Sequence, residues 1–291
     1  MGRGLTLIVE SGATKGDWRV VSPSGEESCR FVSEGTNVST MTMHAVKRII
    51  AETSEKIAAL GYNVEKIWFY TAGIPTHEIK EALTAVFKER FPSADIEIED
   101  DLTAAARAAC GHKRGITAII GTGSNSCLWD GEKIVKKIRT GGFILGDEGS
   151  ASALGKAFIA DFIKDLVPEN VATRFREKFD VSYETIVENV YRSKGSPSGY
   201  LGSFAPFLMQ YYETEPYIKE LVDNNFRSFI RRVLKQYGTD SPVGITGGFG
   251  CALNEIFTRI AQEEGITISG FLASPIEGLI EYHCSRPRAI C

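Results

Sequence analysis

Apolar and polar positions recur with two different periods along this chain, and the change of period separates predicted strands from predicted helices. An apolar run at residues 5–9 leads into a turn that contains glycine, and a second run at residues 18–21 follows that turn. A third strand is predicted near residues 27–32, after the turn residues Ser22-Pro-Ser-Gly. The chain is therefore predicted to begin with an antiparallel meander of three strands.

The rest of the chain shows helical apolar spacing that is interrupted by short apolar runs. Helices are predicted at about residues 44–60, 76–91, 102–110, 151–166, 170–179, 182–191, 200–212, 215–237 and 275–282, and a further helix ends near residue 262. Strands are predicted at residues 67–73, 94–99 and 266–272, and between Val243 and Gly247. The aromatic residues within 200–212 lie three or four positions apart, which is typical of a core.

The meander occurs a second time, with apolar runs at residues 116–120 and 127–129 and a third strand near residues 133–138. Aligning Gly12 with Gly123 also aligns Trp18 with Trp129. Repetition of the unit predicts an α/β protein of two similar lobes, which suits a chain of this length. The lobes are predicted at residues 1–113 and 114–291, and the second carries a helical insertion at about residues 151–240.

The turns of the two meanders are rich in glycine, and glycine leaves backbone N–H groups exposed. In the second turn, Thr122, Ser124 and Asn125 add side-chain donors beside Gly121 and Gly123. Such a tip suits a phosphate group, and two tips would hold one nucleotide from both sides. An ordinary hairpin turn is the alternative interpretation of each segment.

A third glycine-rich turn, Gly247-Gly248-Phe249-Gly250, stands between a predicted strand and a predicted helix. The backbone at such a turn can approach a nucleotide closely at the helix N-terminus. Taken alone, this pattern is weak, because the chain lacks the spacing of a dinucleotide-binding fingerprint.

Two pairs of adjacent carboxylates stand at predicted helix starts. Asp100 and Asp101 open the helix at residues 102–110, where capping needs one carboxylate, so the other is a candidate general base for phosphoryl transfer. Asp147 and Glu148 lie in the glycine-rich segment before Ser150, where they suit sugar hydroxyls or magnesium-bound water. Helix capping is the alternative explanation for both pairs.

The composition limits the class of protein. Of 291 residues, 43% are hydrophobic and 24% are charged, with a net charge of −4, which describes a globular protein and gives no support to nucleic acid or membrane partners. No apolar run is long enough to span a bilayer, so a cytoplasmic location is expected. The six cysteines form no C-x-x-C pair, and neither they nor the four histidines show metal-ligand spacing.

These motifs together resemble the BadF/BadG-type ATPase family, which includes N-acetylglucosamine kinases and belongs to the actin, heat-shock ATPase and sugar-kinase superfamily. The resemblance spans nearly the whole chain. It is most specific at Gly121-Thr-Gly-Ser-Asn125 and Gly146-Asp-Glu-Gly-Ser150. It implies two ribonuclease-H-like lobes with ATP in the cleft between them.

The resemblance also implies roles for individual residues. Asp101 matches the base that deprotonates the sugar hydroxyl, Glu10 matches the position that handles magnesium, and Mg²⁺ would bridge the phosphates. The expected contacts of phosphate or adenosine are Gly12, Thr14, Lys15, Gly121, Thr122, Gly123, Ser124, Gly247, Gly248 and Gly250. The expected contacts of the sugar are Asn37, Asn125 and Asp147.

Two residues depart from the family pattern. Glu10 stands where the family has aspartate, and one extra methylene shifts a bound ion or water by about an ångström, which is enough to slow a reaction. Phe143 follows Thr140-Gly-Gly where the N-acetylglucosamine kinases usually carry a tryptophan in the glycine-rich run.

The expected function is an ATP-dependent kinase that phosphorylates the 6-hydroxyl of N-acetylglucosamine or a related amino sugar. One alternative is an ATPase that activates a partner enzyme, like the activators of 2-hydroxyacyl-CoA dehydratases. The other is a sensor of sugar or nucleotide without catalysis. The expected ligands are a small sugar, ATP and Mg²⁺, and a homodimer is compatible with the sequence, which does not fix the oligomeric state.

Overall fold

The structure is a computed structural model, which describes residues 4–12, 15–192 and 195–284. In these ranges, the strands form two five-stranded sheets. The strands are β1 (Leu5–Ser11), β2 (Lys15–Val21), β3 (Glu27–Glu34), β4 (Val64–Thr71), β5 (Asp95–Asp100), β6 (Gly115–Ile120), β7 (Ser124–Trp129), β8 (Ile134–Lys137), β9 (Val243–Thr246) and β10 (Ile268–Leu272).

The helices cover the faces of these sheets and build the insertion. They are α1 (Met43–Ala58), α2 (His77–Lys88), α3 (Asp101–Cys110), α4 (Gly142–Leu145), α5 (Ala151–Phe162), α6 (Glu169–Lys178), α7 (Tyr183–Val187), α8 (Pro197–Gly202), α9 (Ala205–Gln210), α10 (Pro216–Arg232), α11 (Gly248–Ala252), α12 (Asn254–Glu263) and α13 (Ile276–His283). A π-helical turn follows α7 at Glu188–Arg192, and a 3₁₀ turn follows α10 at Leu234–Tyr237.

The two sheets have the same topology. Their orders are β3-β2-β1-β4-β5 and β10-β9-β6-β7-β8. In each, a meander of three antiparallel strands continues into two parallel strands, β4 and β5 in the first sheet and β9 and β10 in the second. The predicted duplication of a ribonuclease-H-like α/β fold is therefore confirmed.

The chain divides into two compact units. The first contains the described residues up to Lys113, the turn Gly131–Lys133 and the described residues from Ser274 on. The second contains Arg114–Asp130 and Ile134–Ala273. The sequence-based division places residues 275–282 in the C-terminal lobe, whereas α13 packs against α3 and β1 of the first unit.

Local chemistry explains where the helices differ from the predicted ones. The helix predicted at residues 200–212 is split into α8 and α9, because Pro206 lacks an N–H and stands in the first turn of a new helix. The helix predicted at residues 215–237 ends at Arg232 and continues as a 3₁₀ turn. Both differences lie in the helical insertion.

The aromatic residues of the insertion form a core, as predicted. Phe204 and Phe207 are buried and pack edge to face or tilted against Phe175. None of the helices in the described part of the chain combines the length and the apolar character that a membrane crossing needs.

The hairpin register corrects one detail of the predicted repeat. Ser11 pairs with Gly16 in the first hairpin and Ile120 pairs with Ser124 in the second, so Gly12 corresponds to Gly121 rather than to Gly123. Trp18 and Trp129 are both buried, but they lie at different distances from their turns and are not equivalent. The alignment was wrong because it matched the first glycine of one tip with the last glycine of the other.

Candidate functional site

The parallel strands of the first unit end at one edge of the sheet. Ser11 of β1 pairs with Thr71 of β4, and Thr71 pairs with Asp100 of β5. In open α/β sheets, ligands bind beyond the carboxyl ends of parallel strands. The residues at this edge are therefore the first candidates for a site in this unit.

A buried network of hydroxyl groups fixes this edge. The Ser11 hydroxyl accepts hydrogen bonds from the N–H and the hydroxyl of Thr36, both at 2.9 Å, and the Thr71 hydroxyl donates to the Thr36 carbonyl at 3.1 Å. Asn37 comes next and forms a parallel bridge with Ala72. Its side-chain oxygen accepts the Ser39 N–H at 3.0 Å, so the network places Asn37 beside the end of β4.

Asp100 and Asp101 have separate positions at the start of α3. The Asp100 carboxylate is the N-cap and accepts the Thr103 N–H at 2.8 Å. Asp101 is the first residue of the helix and is half-buried. Because Asp100 performs the capping, capping does not account for Asp101.

The Glu10 carboxyl lies close enough to Asp101 for their charges to interact. Burial raises the pKa of Glu10 to about 7, the hydrogen bond from Ser274 opposes this, and the negative charges of Asp101 and Asp17 add to it. Asp17 is the cross-strand partner of Glu10 in the hairpin. The structure thus brings together the predicted base and the predicted magnesium contact.

The tip of the first hairpin lies next to Glu10. The Gly12 N–H donates to the Lys15 carbonyl at 3.0 Å, and a Cβ added at Gly12 would lie 4.0 Å from Glu10 Oε1. The exposed Lys15 interacts electrostatically with Glu10. Thr14, a predicted phosphate contact, lies outside the described residues.

In the second unit, the hairpin tip packs on the start of α5. The Gly121 N–H donates to the Gly123 carbonyl at 2.9 Å, as Gly12 does across the first tip. The Gly121 and Thr122 carbonyls accept the N–H groups of Ala151 and Ser152, each at 3.0 Å. These bonds fix the tip against the N-terminal end of a buried helix.

Asp147 lies against the same tip. A Cβ added at Gly123 would lie 3.0 Å from Asp147 Oδ2, and the Ser124 N–H donates to the Asp147 carboxylate. Burial raises the pKa of Asp147, and the Ser124 N–H and the charge of Lys156 oppose that rise. The two sequence motifs that carry the family resemblance are therefore in direct contact.

Asn125 is placed differently. Its side-chain oxygen accepts the Ser126 N–H of its own strand at 3.0 Å. Successive side chains of a strand point to opposite faces, so Asn125 points away from the face on which the Ser124 hydroxyl donates to the Glu148 carbonyl at 2.8 Å. A contact between Asn125 and a sugar remains a prediction.

The third glycine-rich turn meets the end of β6. Gly247 has a φ of 103°, and a Cβ there would lie 2.6 Å from the Ile120 carbonyl oxygen. A Cβ on Gly250 would lie 2.9 Å from the side chains of Ile120 and Ile245. Gly248, in contrast, has open space around its Cβ position. Gly247 and Gly250 bring the turn against the strand that leads to Gly121.

We expect Gly247→Ala to lower the free energy of unfolding by about 2–3 kcal/mol, because an alanine at this φ is strained and its Cβ meets a carbonyl oxygen. Gly248→Ala is the matched control and should stay within about 1 kcal/mol of the wild type. Urea unfolding followed by circular dichroism measures both variants. Equal stability of the two variants would contradict the structural role of Gly247.

Sequence reasoning missed the residues that reach the site from distant parts of the chain. The Ser274 hydroxyl, just before α13, donates to Glu10 Oε2 at 3.4 Å. Asn225 of α10 makes two hydrogen bonds to the backbone after Asp147. Neither residue stands in a local motif, so no signal near it in the sequence marks its role.

The carboxylates of the first unit have the chemistry of a partial Mg²⁺ site, in which bound phosphates supply the remaining ligands. In the described ranges, no three histidine, cysteine or acidic side chains form a complete metal cage. Mg²⁺ is usually held by one or two carboxylates together with substrate phosphates and water. Glu10, with Asp101 nearby, fits that pattern of partial ligation.

Comparison with solved structures supplies the relatives of this chain. A Porphyromonas gingivalis protein provisionally named as an N-acetylglucosamine kinase is 34% identical, with a TM-score of 0.86, over 96% of this chain and 98% of that one. A Chromobacterium violaceum protein of the same provisional name is 15% identical, with a TM-score of 0.67, over 96% and 99% of the two chains.

A ROK-family glucokinase from Streptomyces griseus, solved with glucose and AMPPNP, is 18% identical, with a TM-score of 0.53, over 96% of this chain and 97% of that one. At such low identity, the second and third structures show the shared fold alone. No protein-family model and no curated protein matches the chain. The identity and full-length coverage of the Porphyromonas gingivalis protein confirm the resemblance seen in the motifs: this chain belongs to the BadF/BadG-type, N-acetylglucosamine kinase-like family of the actin and sugar-kinase superfamily.

Proposed function

We propose that this protein is an ATP-dependent sugar kinase that phosphorylates the 6-hydroxyl of N-acetylglucosamine or a related amino sugar. One observation carries the proposal: Asp101 stands beside Glu10 at the edge where parallel strands end, while Asp100 caps the helix. The provisional name of the Porphyromonas gingivalis relative supports the choice of sugar.

Asp101 would act as the general base in this reaction. Its carboxylate would accept the proton of the sugar hydroxyl as the hydroxyl oxygen attacks the γ-phosphorus of ATP. The bond between the γ-phosphorus and the bridging oxygen then breaks, and ADP leaves. A weak base such as a carboxylate is sufficient for this role. The transition state is largely dissociative, so the hydroxyl loses its proton late in the reaction.

The glycine turns would bind the nucleotide. Gly12, Lys15 and Gly121 to Ser124 are proposed to line the phosphates. The Lys15 ammonium, the Thr122 hydroxyl and the N–H groups of Thr122 and Gly123 would make the contacts, because the Gly12 and Gly121 N–H groups close their own tips. Gly247, Gly248 and Gly250 are proposed to face the adenosine. Bound Mg²⁺ would supply charge neutralisation at the phosphates, and Glu10 would hold it directly or through water.

The acceptor sugar would be held by polar side chains. Asp147 is the strongest candidate, since its carboxylate is held on the hairpin tip by the Ser124 N–H and can accept hydrogen bonds from sugar hydroxyls. Asn37 and Asn125 are proposed as further contacts. Phe143 takes the place of the usual tryptophan, so the preference among amino sugars need not equal that of other family members.

A panel of sugars tests this proposal. ADP release, coupled to NADH oxidation, should rise above the sugar-free rate with N-acetylglucosamine and should rise less with glucose. Mass spectrometry of the product should then locate the phosphate on the 6-position. ADP release at one rate with every sugar and with none would contradict a sugar kinase and favour an ATPase.

The raised pKa of Glu10 leads to a prediction about pH. Because its pKa is about 7, Glu10 holds a proton below that pH, and Mg²⁺ must displace that proton to bind. We expect the Mg²⁺ affinity of the ADP complex to fall up to about tenfold for each pH unit below 7. Titration of the complex with Mg²⁺ by calorimetry from pH 8 downward measures this.

Glu10→Gln is the control, because it cannot titrate. It should bind Mg²⁺ more weakly at pH 8 and show only the pH dependence that free ADP itself shows. Glu10→Asp should preserve or raise activity, since it restores the family residue. The same pH dependence in the wild type and in Glu10→Gln would show that Glu10 is not in contact with the ion.

A further inference from the structure

The segment that carries Asp147 is held by a helix of the insertion. Asn225 of α10 accepts the Gly149 N–H at 3.0 Å through Oδ1. It also donates from Nδ2 to the Ser150 carbonyl at 3.1 Å. The Asn225 side chain thus binds the N–H of Gly149 and the carbonyl of the next residue, Ser150.

This segment has a backbone that needs such support. Asp147 has a φ of 57°, which is uncommon for a residue with a Cβ, and Gly149 has a φ of 80°. A Cβ at Gly149 would lie 2.7 Å from the Cβ of Phe229, one helical turn after Asn225. Strained backbone persists only where its surroundings fix it, and α10 supplies part of that fixation here.

Hydrogen bonds hold this segment on both sides of Asp147, and Asn225 supplies two of those on the C-terminal side. On the N-terminal side, the Asp147 N–H donates to the Thr140 carbonyl at 3.2 Å. On the C-terminal side, the Asp147 carbonyl accepts the Ser150 N–H at 3.1 Å, and the Ser124 hydroxyl donates to the Glu148 carbonyl. Asn225 adds a contact from outside the two motifs, and it binds both Gly149 and Ser150. Gly146, Glu148 and Asn225 border a cavity of about 420 Å³, so open space adjoins the segment on the α10 side.

We propose that Asn225 is a positioning residue for Asp147 and that the helical insertion thereby sets the affinity for the sugar. This inference rests on the proposed function, in which Asp147 binds sugar hydroxyls. Asn225 touches neither substrate in this account. Its loss should let the Asp147 carboxylate move while the nucleotide-binding turns keep their own hydrogen bonds.

Steady-state kinetics of Asn225→Ala test this proposal, with Asn224→Ala as the matched control on the same helix. Asn224 is exposed, and its oxygen accepts only a long bond from Arg227, at 3.5 Å. For Asn225→Ala, we expect the KM for the sugar to rise by about tenfold or more, since small displacements of a positioned group are costly. The KM for ATP should stay within about twofold, and Asn224→Ala should match the wild type.

Asn225→Asp provides a second variant if the alanine variant folds poorly. It keeps the acceptor for the Gly149 N–H but places a carboxylate against the Ser150 carbonyl, so it should also raise the KM for the sugar. An unchanged KM for the sugar in both variants would overturn the proposal. Parallel increases in both KM values would do the same, because they indicate a general structural effect.

Amide hydrogen exchange separates this inference from the proposed function. Peptides that cover residues 146–150 should exchange faster in Asn225→Ala than in the wild type or Asn224→Ala, with or without any sugar turnover. If the wild type phosphorylates no sugar, the proposed function fails, and faster exchange still supports the positioning role. Unchanged exchange in this segment would overturn it.

Discussion

Replacing Asp101 with asparagine should lower kcat for sugar phosphorylation by about a hundredfold to ten-thousandfold, which is the usual contribution of a general base. Asparagine has nearly the same shape but cannot accept the hydroxyl proton. ATP binding should remain nearly intact, because the phosphates are proposed to contact Lys15, Thr122 and backbone N–H groups rather than Asp101. Rapid-quench kinetics at saturating sugar, together with calorimetry of ATP binding, measure both quantities.

Asp100→Asn is the matched control for this experiment. Asparagine is as good an N-cap as aspartate, so α3 should keep its cap and the protein its stability. The variant should retain most of its activity, although it makes the same chemical change one residue away. Asp101 is not the base if Asp101→Asn turns over sugar at the wild-type rate, or if both variants lose activity equally.

Replacing Asp147 with alanine should weaken sugar binding by about tenfold to a hundredfold, since a hydrogen bond to a charged group is worth about 1.5–3 kcal/mol. The effect should fall on the KM for the sugar and much less on the KM for ATP. The variant should fold, because burial disfavours the charged form of Asp147, as its raised pKa shows, and alanine removes that charge. Initial rates over a matrix of both substrate concentrations measure the two KM values.

Glu148→Gln is the control for Asp147→Ala. Glu148 is the adjacent carboxylate, and it forms an ion pair with Arg232 at 3.0 Å, near the end of α10. We expect only a small change in the KM for the sugar in this variant. A larger increase in the KM for the sugar with Glu148→Gln than with Asp147→Ala would contradict the proposal, because it would show that Glu148 makes the sugar contact.

Local sequence patterns predicted the parts of the site that depend on neighbouring residues. Two acidic residues stand at the start of α3, where capping needs only one, so the sequence predicted a second role for one of them. The structure shows that Asp100 is the cap. Glycine-rich turns between apolar runs predicted the two hairpins, whose tips are closed by the same type of bond from Gly12 and Gly121. These features were predictable because hairpins and caps are determined within a few residues.

Contacts between distant residues were not predictable in this way. Ser274 reaches Glu10 across 264 positions, and Asn225 reaches Ser150 across 75. Both depend on how helices pack on the sheets, which no local pattern encodes. The mistaken equivalence of Trp18 and Trp129 came from matching glycines along the sequence, whereas the cross-strand pairs determine which tip residues correspond.

Glu10 shows what the structure adds to a departure from the family pattern. The sequence showed only that glutamate replaces aspartate. The structure shows the longer carboxyl bonded to Ser274 and interacting with Asp101, Asp17 and Lys15. A glutamate in these surroundings has a pKa of about 7, so its ability to bind a cation depends on pH near neutrality.

Transfer of labelled phosphate tests the central claim most directly. ATP labelled at the γ-phosphate is mixed with excess wild-type protein, Mg²⁺ and N-acetylglucosamine, and the label is followed through one turnover. A sugar kinase predicts that the label appears in the sugar phosphate, at a rate that Asp101→Asn lowers. Label that appears only as inorganic phosphate, at a rate independent of the sugar, would contradict the account.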